Sequence, residues 1–148
     1  MTTNVEALLQ EAALRYVKEV DEHGTRYSLR FETGMGPVAV SLGIAEDLFT
    51  CYVFVRDLES IPHTFKPAKD FFRELLRLNA RFHLARVCVW VDPDAEFEWL
   101  VVAAHIPAAA ITVDTLKWAV GETVELTGAI QTAISERSPT PHGQLEGR

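Results

Sequence analysis

Apolar side chains at Val5, Leu8, Leu9, Ala12, Tyr16 and Val20 recur at helical spacing, with Glu6, Glu11, Arg15, Lys18 and Glu19 between them. The stripe predicts a first amphipathic helix over Asn4–Val20, packed on a sheet and stopped by Gly24. The period then changes to two. Tyr27, Leu29 and Phe31 alternate with Arg26, Ser28, Arg30 and Glu32; Val38, Val40, Leu42 and Ile44 follow the turn Gly34-Met35-Gly36-Pro37. Phe49, Cys51, Val53 and Val55 alternate with Thr50, Tyr52, Phe54 and Arg56. Each run predicts a half-buried strand, and links this short imply an antiparallel meander, because a parallel crossover needs a dozen residues or more. Asp57 to Lys66, with Pro62 inside it, predicts a loop.

Pro67 suits the first turn of a helix, where its missing N–H costs nothing. The following pattern predicts a middle helix from Pro67 to Phe82, with Phe71, Phe72, Leu75, Leu76, Leu78 and Phe82 as its apolar residues. Two strands come next, Arg86–Val91 and Glu98–Ile106, joined by the turn Asp92-Pro93-Asp94. The second is apolar on both faces, which places it inside the sheet or under an interface. Thr112 caps a third helix with Asp114 in its first turn, and Val113, Leu116, Val120, Val124 and Thr127 make its stripe, flanked by Ala119, Leu126, Ile130 and Ile134. Gly121 and Gly128 lie on one face of it, at up to about 1 kcal/mol each in helix propensity. Either a close neighbour offsets that cost or the helix tolerates it. From Glu136 the chain is rich in Pro, Ser and Gly, and residues 136–148 read as a disordered tail. Residues 1–135 therefore read as one α+β domain of three helices and a five-stranded antiparallel sheet, in the order α-β-β-β-α-β-β-α.

Length agrees with that count: 148 residues suit one domain, and 48% apolar with 24% charged residues suit a globular one. A formal net charge of −7 disfavours indiscriminate binding to nucleic acid or to an anionic membrane. The N-terminus shows no basic segment followed by an apolar one, and Trp99–Ala104 is far too short to span a bilayer. A bacterial cytoplasm is the expected location, with no membrane partner. Cys51 and Cys88 sit in apolar runs without CxxC spacing and read as two buried, reduced thiols.

Catalytic and metal signatures are absent. The histidines lack ligand spacing, Glu122 and Glu125 lack an accompanying Glu-x-x-His, and there is no phosphate loop, nucleophile elbow or dinucleotide fingerprint. Asp92, Asp94, Glu96 and Glu98 read as a solvated hairpin turn, lacking the Gly and distal Glu of a calcium loop. Trp90, Trp99 and Trp118 read as core anchors. No enzyme, metal or cofactor is expected.

The middle helix is the concentrated feature. Lys69, Arg73, Arg77 and Arg81 recur every four residues, and Lys66 to Arg86 holds six basic residues against Asp70 and Glu74, a local +4. Such a stripe is either a solvated, ion-paired face or a docking surface for an acidic segment or phosphates. On the other side, Phe71, Phe72, Leu75, Leu76, Leu78 and Phe82 exceed one ordinary stripe. The surplus predicts a second contact, most simply a homodimer.

The run Leu75-Leu76-Arg77-Leu78-Asn79-Ala80-Arg81, then a strand, an acidic turn, a second strand, Ile106-Pro107 and a helix opening at Thr112, resembles the YbjN family, which shares the fold of type III secretion chaperones. The resemblance covers nearly the whole chain except the tail. It implies a twisted five-stranded sheet, helices one and three on one face, and dimerisation near the middle helix. It also implies a non-catalytic role: YbjN-like proteins are candidate sensory-transduction regulators, and secretion chaperones bind partner proteins in extended form. The expected function is a dimeric protein-binding or regulatory protein that docks partner segments on its sheet face and beside the middle helix. The alternative is a stress-response accessory protein that meets DNA, or a DNA-binding protein, through the basic stripe.

Overall fold

A computed structural model describes residues 4–58, 68–94 and 97–137, without the side chains at positions 68, 69 and 137. The elements are α1 (Val5–Glu11), β1 (Val17–Asp21), β2 (Gly24–Thr33), β3 (Gly36–Ala45), β4 (Leu48–Asp57), α2 (Ala68–Asn79), β5 (Ala85–Val91), β6 (Glu98–Pro107), a 3-10 turn at Ala108–Ala110, and α3 (Val113–Arg137). Six strands, rather than five, form one sheet in the order β1-β2-β3-β4-β6-β5. Every neighbouring pair is antiparallel, as the short links require.

The extra strand comes out of the expected first helix, which ends nine residues early. Asn4 caps α1 through its side chain, which accepts from the Ala7 N–H at 3.1 Å. At the other end the Ala13 N–H donates to the Gln10 carbonyl and the Leu14 N–H reaches back to Leu9, both at 3.0 Å. This is a Schellman stop with Ala13 in the left-handed region at φ 57°. Glycine usually fills that position, so its absence hid the stop. Val17–Asp21 then pairs with β2 across the two residues Glu22-His23, and Gly24, at φ 125°, opens β2 instead of ending a helix. Val5, Leu9 and Ala12 are buried as the stripe requires, whereas Val17 and Val20 are exposed. Their helical spacing is a coincidence of period.

One face of the sheet carries the core. Leu29, Val40, Leu42, Phe49, Cys51, Leu100, Val102 and Ala104 point to it and are fully buried or nearly so. Leu116, Ala119, Leu126 and Ile130 of α3 cover them, with Phe71 and Leu75 of α2 and Leu9 of α1 completing the layer. The two buried hydroxyls on α3 are satisfied within the helix: Thr123 donates to the Ala119 carbonyl and Thr127 to that of Thr123, both at 2.7 Å. Cys51 lies 3.4 Å from the Thr123 hydroxyl, and burial pushes its thiol up to about 12.

α3 begins as expected, with the Thr112 hydroxyl accepting from the Thr115 N–H at 3.2 Å. It continues through Arg137, so the first two residues of the expected tail are helical; residues 138–148 lie outside the described residues, as do the loop over 59–67 and Pro67. A methyl group built on Gly121 or Gly128 meets nothing within 4 Å, so no close approach requires glycine there. Two substitutions follow from backbone conformation alone. Gly121→Ala is expected to stabilise the protein by about 0.5–1 kcal/mol through helix propensity. Ala13→Gly is expected to gain about 1 kcal/mol by relieving the left-handed residue. Urea midpoints at unchanged slope measure both, and a lowered midpoint for either contradicts its assignment.

Candidate functional site

None of the described helices lies on the second face of the sheet. Strand parity sends Tyr52 and Phe54 of β4, Cys88 and Trp90 of β5, and Trp99, Val101 and Ala103 of β6 to that side. Register aligns Tyr52 with Ala103, Phe54 with Val101 and Cys88, and Trp99 with Trp90. Phe54 becomes the hub of a four-ring cluster, edge-to-face with Tyr52 at 5.7 Å, Trp90 at 5.4 Å and Trp99 at 5.5 Å between centroids. Each such pair contributes about 0.5–1.5 kcal/mol beyond area burial. Val101 and Ala103, between the rings, are buried although none of the described helices is layered over them.

This arrangement corrects two expectations. Trp90 and Trp118 are exposed and Trp99 is only partly covered, so the tryptophans are not core anchors. Cys88 is exposed on the uncovered face, because its parity is opposite to that of Val87 and Val89; only Cys51 is buried. Partial burial pushes the Cys88 thiol up as well, so neither cysteine resembles an activated nucleophile.

α2 divides its apolar residues more sharply than the sequence suggested. Phe71, Leu75, Leu78 and Phe82 are buried in the protein's own core, while Phe72 is 47% and Leu76 69% exposed. Only the latter pair, four residues apart on one face, is left for another contact. The helix also ends at Asn79, and tight turns carry Ala80 to Phe82. Arg81 therefore lies beyond the helix, which breaks the expected ladder. Arg73 pairs with Asp70 at 3.6 Å, an exposed pair worth little. Arg77 and Arg81 are exposed and without an ion-pair partner among the described residues. The Lys69 side chain lies outside them.

Glu122 sets the corner between α2 and β5. Its Oε1 accepts from the N–H groups of His83 at 2.9 Å, Leu84 at 2.7 Å and Ala85 at 3.1 Å; Oε2 accepts from Trp118 Nε1 at 2.7 Å. Burial raises the carboxyl's pKa, but the four donors outweigh it and hold the group below its usual range. A carboxylate so occupied anchors structure. With Arg81, Lys117, Trp118 and Glu125 it borders an open hollow of about 340 Å³. Sequence reasoning placed Glu122 and Glu125 on one helix face but could not see that the residues following α2 present three consecutive N–H groups to one of them.

The neighbouring Asn79 amide caps the sheet edge. It accepts from the Val87 N–H at 2.6 Å and donates to the Val87 carbonyl at 3.3 Å. His83 packs against Trp118, and His105 Nδ1 lies 3.0 Å from the Thr50 hydroxyl. No group of three or more metal-binding side chains comes together among the described residues, and none of their helices is long and apolar enough to cross a membrane.

No family model matches the chain, and no curated protein matches it in sequence. Solved structures share its fold, among them the following two. An uncharacterized protein from Methanothermobacter thermautotrophicus is 14% identical with a TM-score of 0.63, over 90% of this chain and 95% of that one. YbjN from E. coli, described as a candidate transcription regulator, is 17% identical with a TM-score of 0.50, over 89% of this chain and 87% of that one. The architecture is YbjN-like, and at these identities the likeness concerns the fold alone.

Glu122→Gln keeps the volume but removes the charge and one acceptor. It is expected to cost about 2–3 kcal/mol at neutral pH, from charged hydrogen bonds lost and N–H groups left unsatisfied. Because the folded-state pKa is depressed, this advantage is complete above the unfolded carboxylate value of about 4.3 and is lost as pH falls through the folded one. Urea unfolding of both proteins across the acid limb should therefore show the gap narrowing. A gap that is constant or grows toward acid contradicts the assignment.

Proposed function

We propose that the chain is a non-enzymatic, homodimeric binding protein that docks segments of a partner protein on its uncovered sheet face and beside α2. The observation that carries this reading is the four-ring cluster around Phe54, set on a face that none of the described elements covers. Exposed aromatic surface of this kind supplies contact area at little cost in side-chain entropy, and beside it β3 presents the small residues Ala39, Ser41 and Gly43. An extended segment can lie along small residues bordered by rings. Phe72 and Leu76 supply the apolar contact for a second copy. The YbjN-like fold supports a regulatory role. A bacterial cytoplasm is the setting we assign, and a role in the stress response belongs to the reading below.

A second reading has one observation in its favour. Arg77 and Arg81 are exposed and have no ion-pair partner among the described residues, so they are available to phosphates of DNA. Their number is small. Counterion release by the four such arginines of a dimer gives a salt slope of only about −4, weak support for tight binding by chains of net charge −7 each.

The two readings separate in one capture experiment from the native host with nuclease added. The partner should survive nuclease with the wild type and with Arg77→Glu/Arg81→Glu. It should be lost with Phe54→Ser/Trp90→Ser, provided circular dichroism shows the variant folded. Loss with nuclease or with the arginine variant, and retention by the ring variant, overturns the protein-binding reading. Light scattering should give twice 16.6 kDa for the wild type, and Leu76→Glu should shift it toward one.

A further inference from the structure

The two edges of the sheet are unlike. β1, at one end, is five residues long and carries Lys18, Glu19 and Asp21, the usual protection against unwanted strand pairing. β5, at the other, ends in Val89-Trp90-Val91 without a charge. Val89 is 52% and Val91 53% exposed on the helix side, next to α2, and Trp90 is exposed on the other side. Uncharged edge strand with apolar surface on both faces is a template for another strand.

Hydrogen-bond parity shows which groups are on offer. The Ala85 N–H points outward to Glu122 and the Val87 N–H outward to Asn79, while the Asp92 N–H points inward to the Phe97 carbonyl of the same hairpin. The β5–β6 register is unbroken from Ala85 to Val91, so odd-numbered residues face the edge throughout. Ala85 and Val87 are taken by side chains of the chain itself. Among the described residues, nothing takes up the outward groups of Val89 and Val91.

We propose that this edge pairs antiparallel with the same edge of a second copy, in one register: Val89 opposite the partner's Val91, Trp90 opposite the partner's Trp90. This rests on the reading of the chain as a homodimer and deepens it. The occupant is a second copy because the free segment is self-complementary. Two outward residues flank Trp90, and a two-fold axis through Trp90 matches each with the other, so that each pair exchanges two N–H···O bonds.

Other registers fail on the groups present. A two-fold axis at Val89 or Cys88 requires the Val87 backbone, which Asn79 already holds. An axis at Val91 sets Val89 against Pro93, which has no N–H. Axes between residues oppose an outward group to an inward one. The surviving register joins two six-stranded sheets into one of twelve strands. It also brings Val89, Val91, Phe72 and Leu76 of each copy to one side, and it places both ring clusters on one continuous face.

Trp90 then forms a non-hydrogen-bonded pair with its mate, Cα atoms about 4.5 Å apart, within disulfide range. Trp90→Cys in a Cys88→Ser background should give a disulfide-linked dimer on mild oxidation. The wild type should not crosslink, because its Cys88 is set opposite the partner's Asp92. Val91→Pro removes one shared N–H and leaves the lone protomer's own bonds intact, so it should lower the mass by light scattering from twice 16.6 kDa to that of one chain. A dimeric wild type with Val91→Pro still dimeric, or with Cys88 linking to itself, overturns this register and leaves the homodimer standing. A wild type that is monomeric at tens of micromolar overturns both. If Trp90→Cys does not fold, Val91→Pro decides alone.

Discussion

A single carboxylate, Glu122, joins three elements that share no strand pairing. By accepting three consecutive N–H groups after α2 and the indole of Trp118, it fixes where α2 stops, how β5 starts and how α3 lies over both. Charge-assisted hydrogen bonds of this kind are about twice as strong as neutral ones. The consequences extend outward from that corner. With α2 held there, Phe71 and Leu75 face the core, Phe72 and Leu76 face away, and Asn79 meets the edge of β5 at Val87. The part of β5 that stays open is what Asn79 and Glu122 do not reach.

The sheet behaves as two different surfaces. Its helix side is a closed apolar layer, dense enough to push a cysteine thiol up to about 12. Its other side has no covering layer among the described residues, and the rings of β4, β5 and β6 pack on each other there. That self-packing lets a one-sided sheet carry aromatic residues without a second layer. It also leaves a surface fit for a partner.

Much of the architecture can be read from period alone. The alternation through Tyr27–Phe31, Val38–Ile44 and Phe49–Val55 corresponds to β2, β3 and β4, and the doubly apolar Glu98–Ile106 run sits between two strands as expected. Period misled where both templates fit: Tyr16 and Val20 satisfy a helical stripe, yet Ala13 turns the chain left-handed and β1 follows. Parity within a strand was legible, but which parity faces helices was not, so Cys88 and Trp90 were assigned inward. The Glu122 corner was invisible for another reason. Three of its four donors are backbone groups almost forty residues away, and no side-chain pattern marks them.

Amide hydrogen exchange at His83, Leu84 and Ala85 tests the central claim most directly. The account predicts that Glu122→Ala accelerates exchange at these three amides by at least about tenfold, while Val102 and Ala104, in the middle of the sheet, remain protected. Acceleration equal at all sites would make Glu122 a contributor to global stability only. Unchanged exchange at the three amides would contradict the account outright.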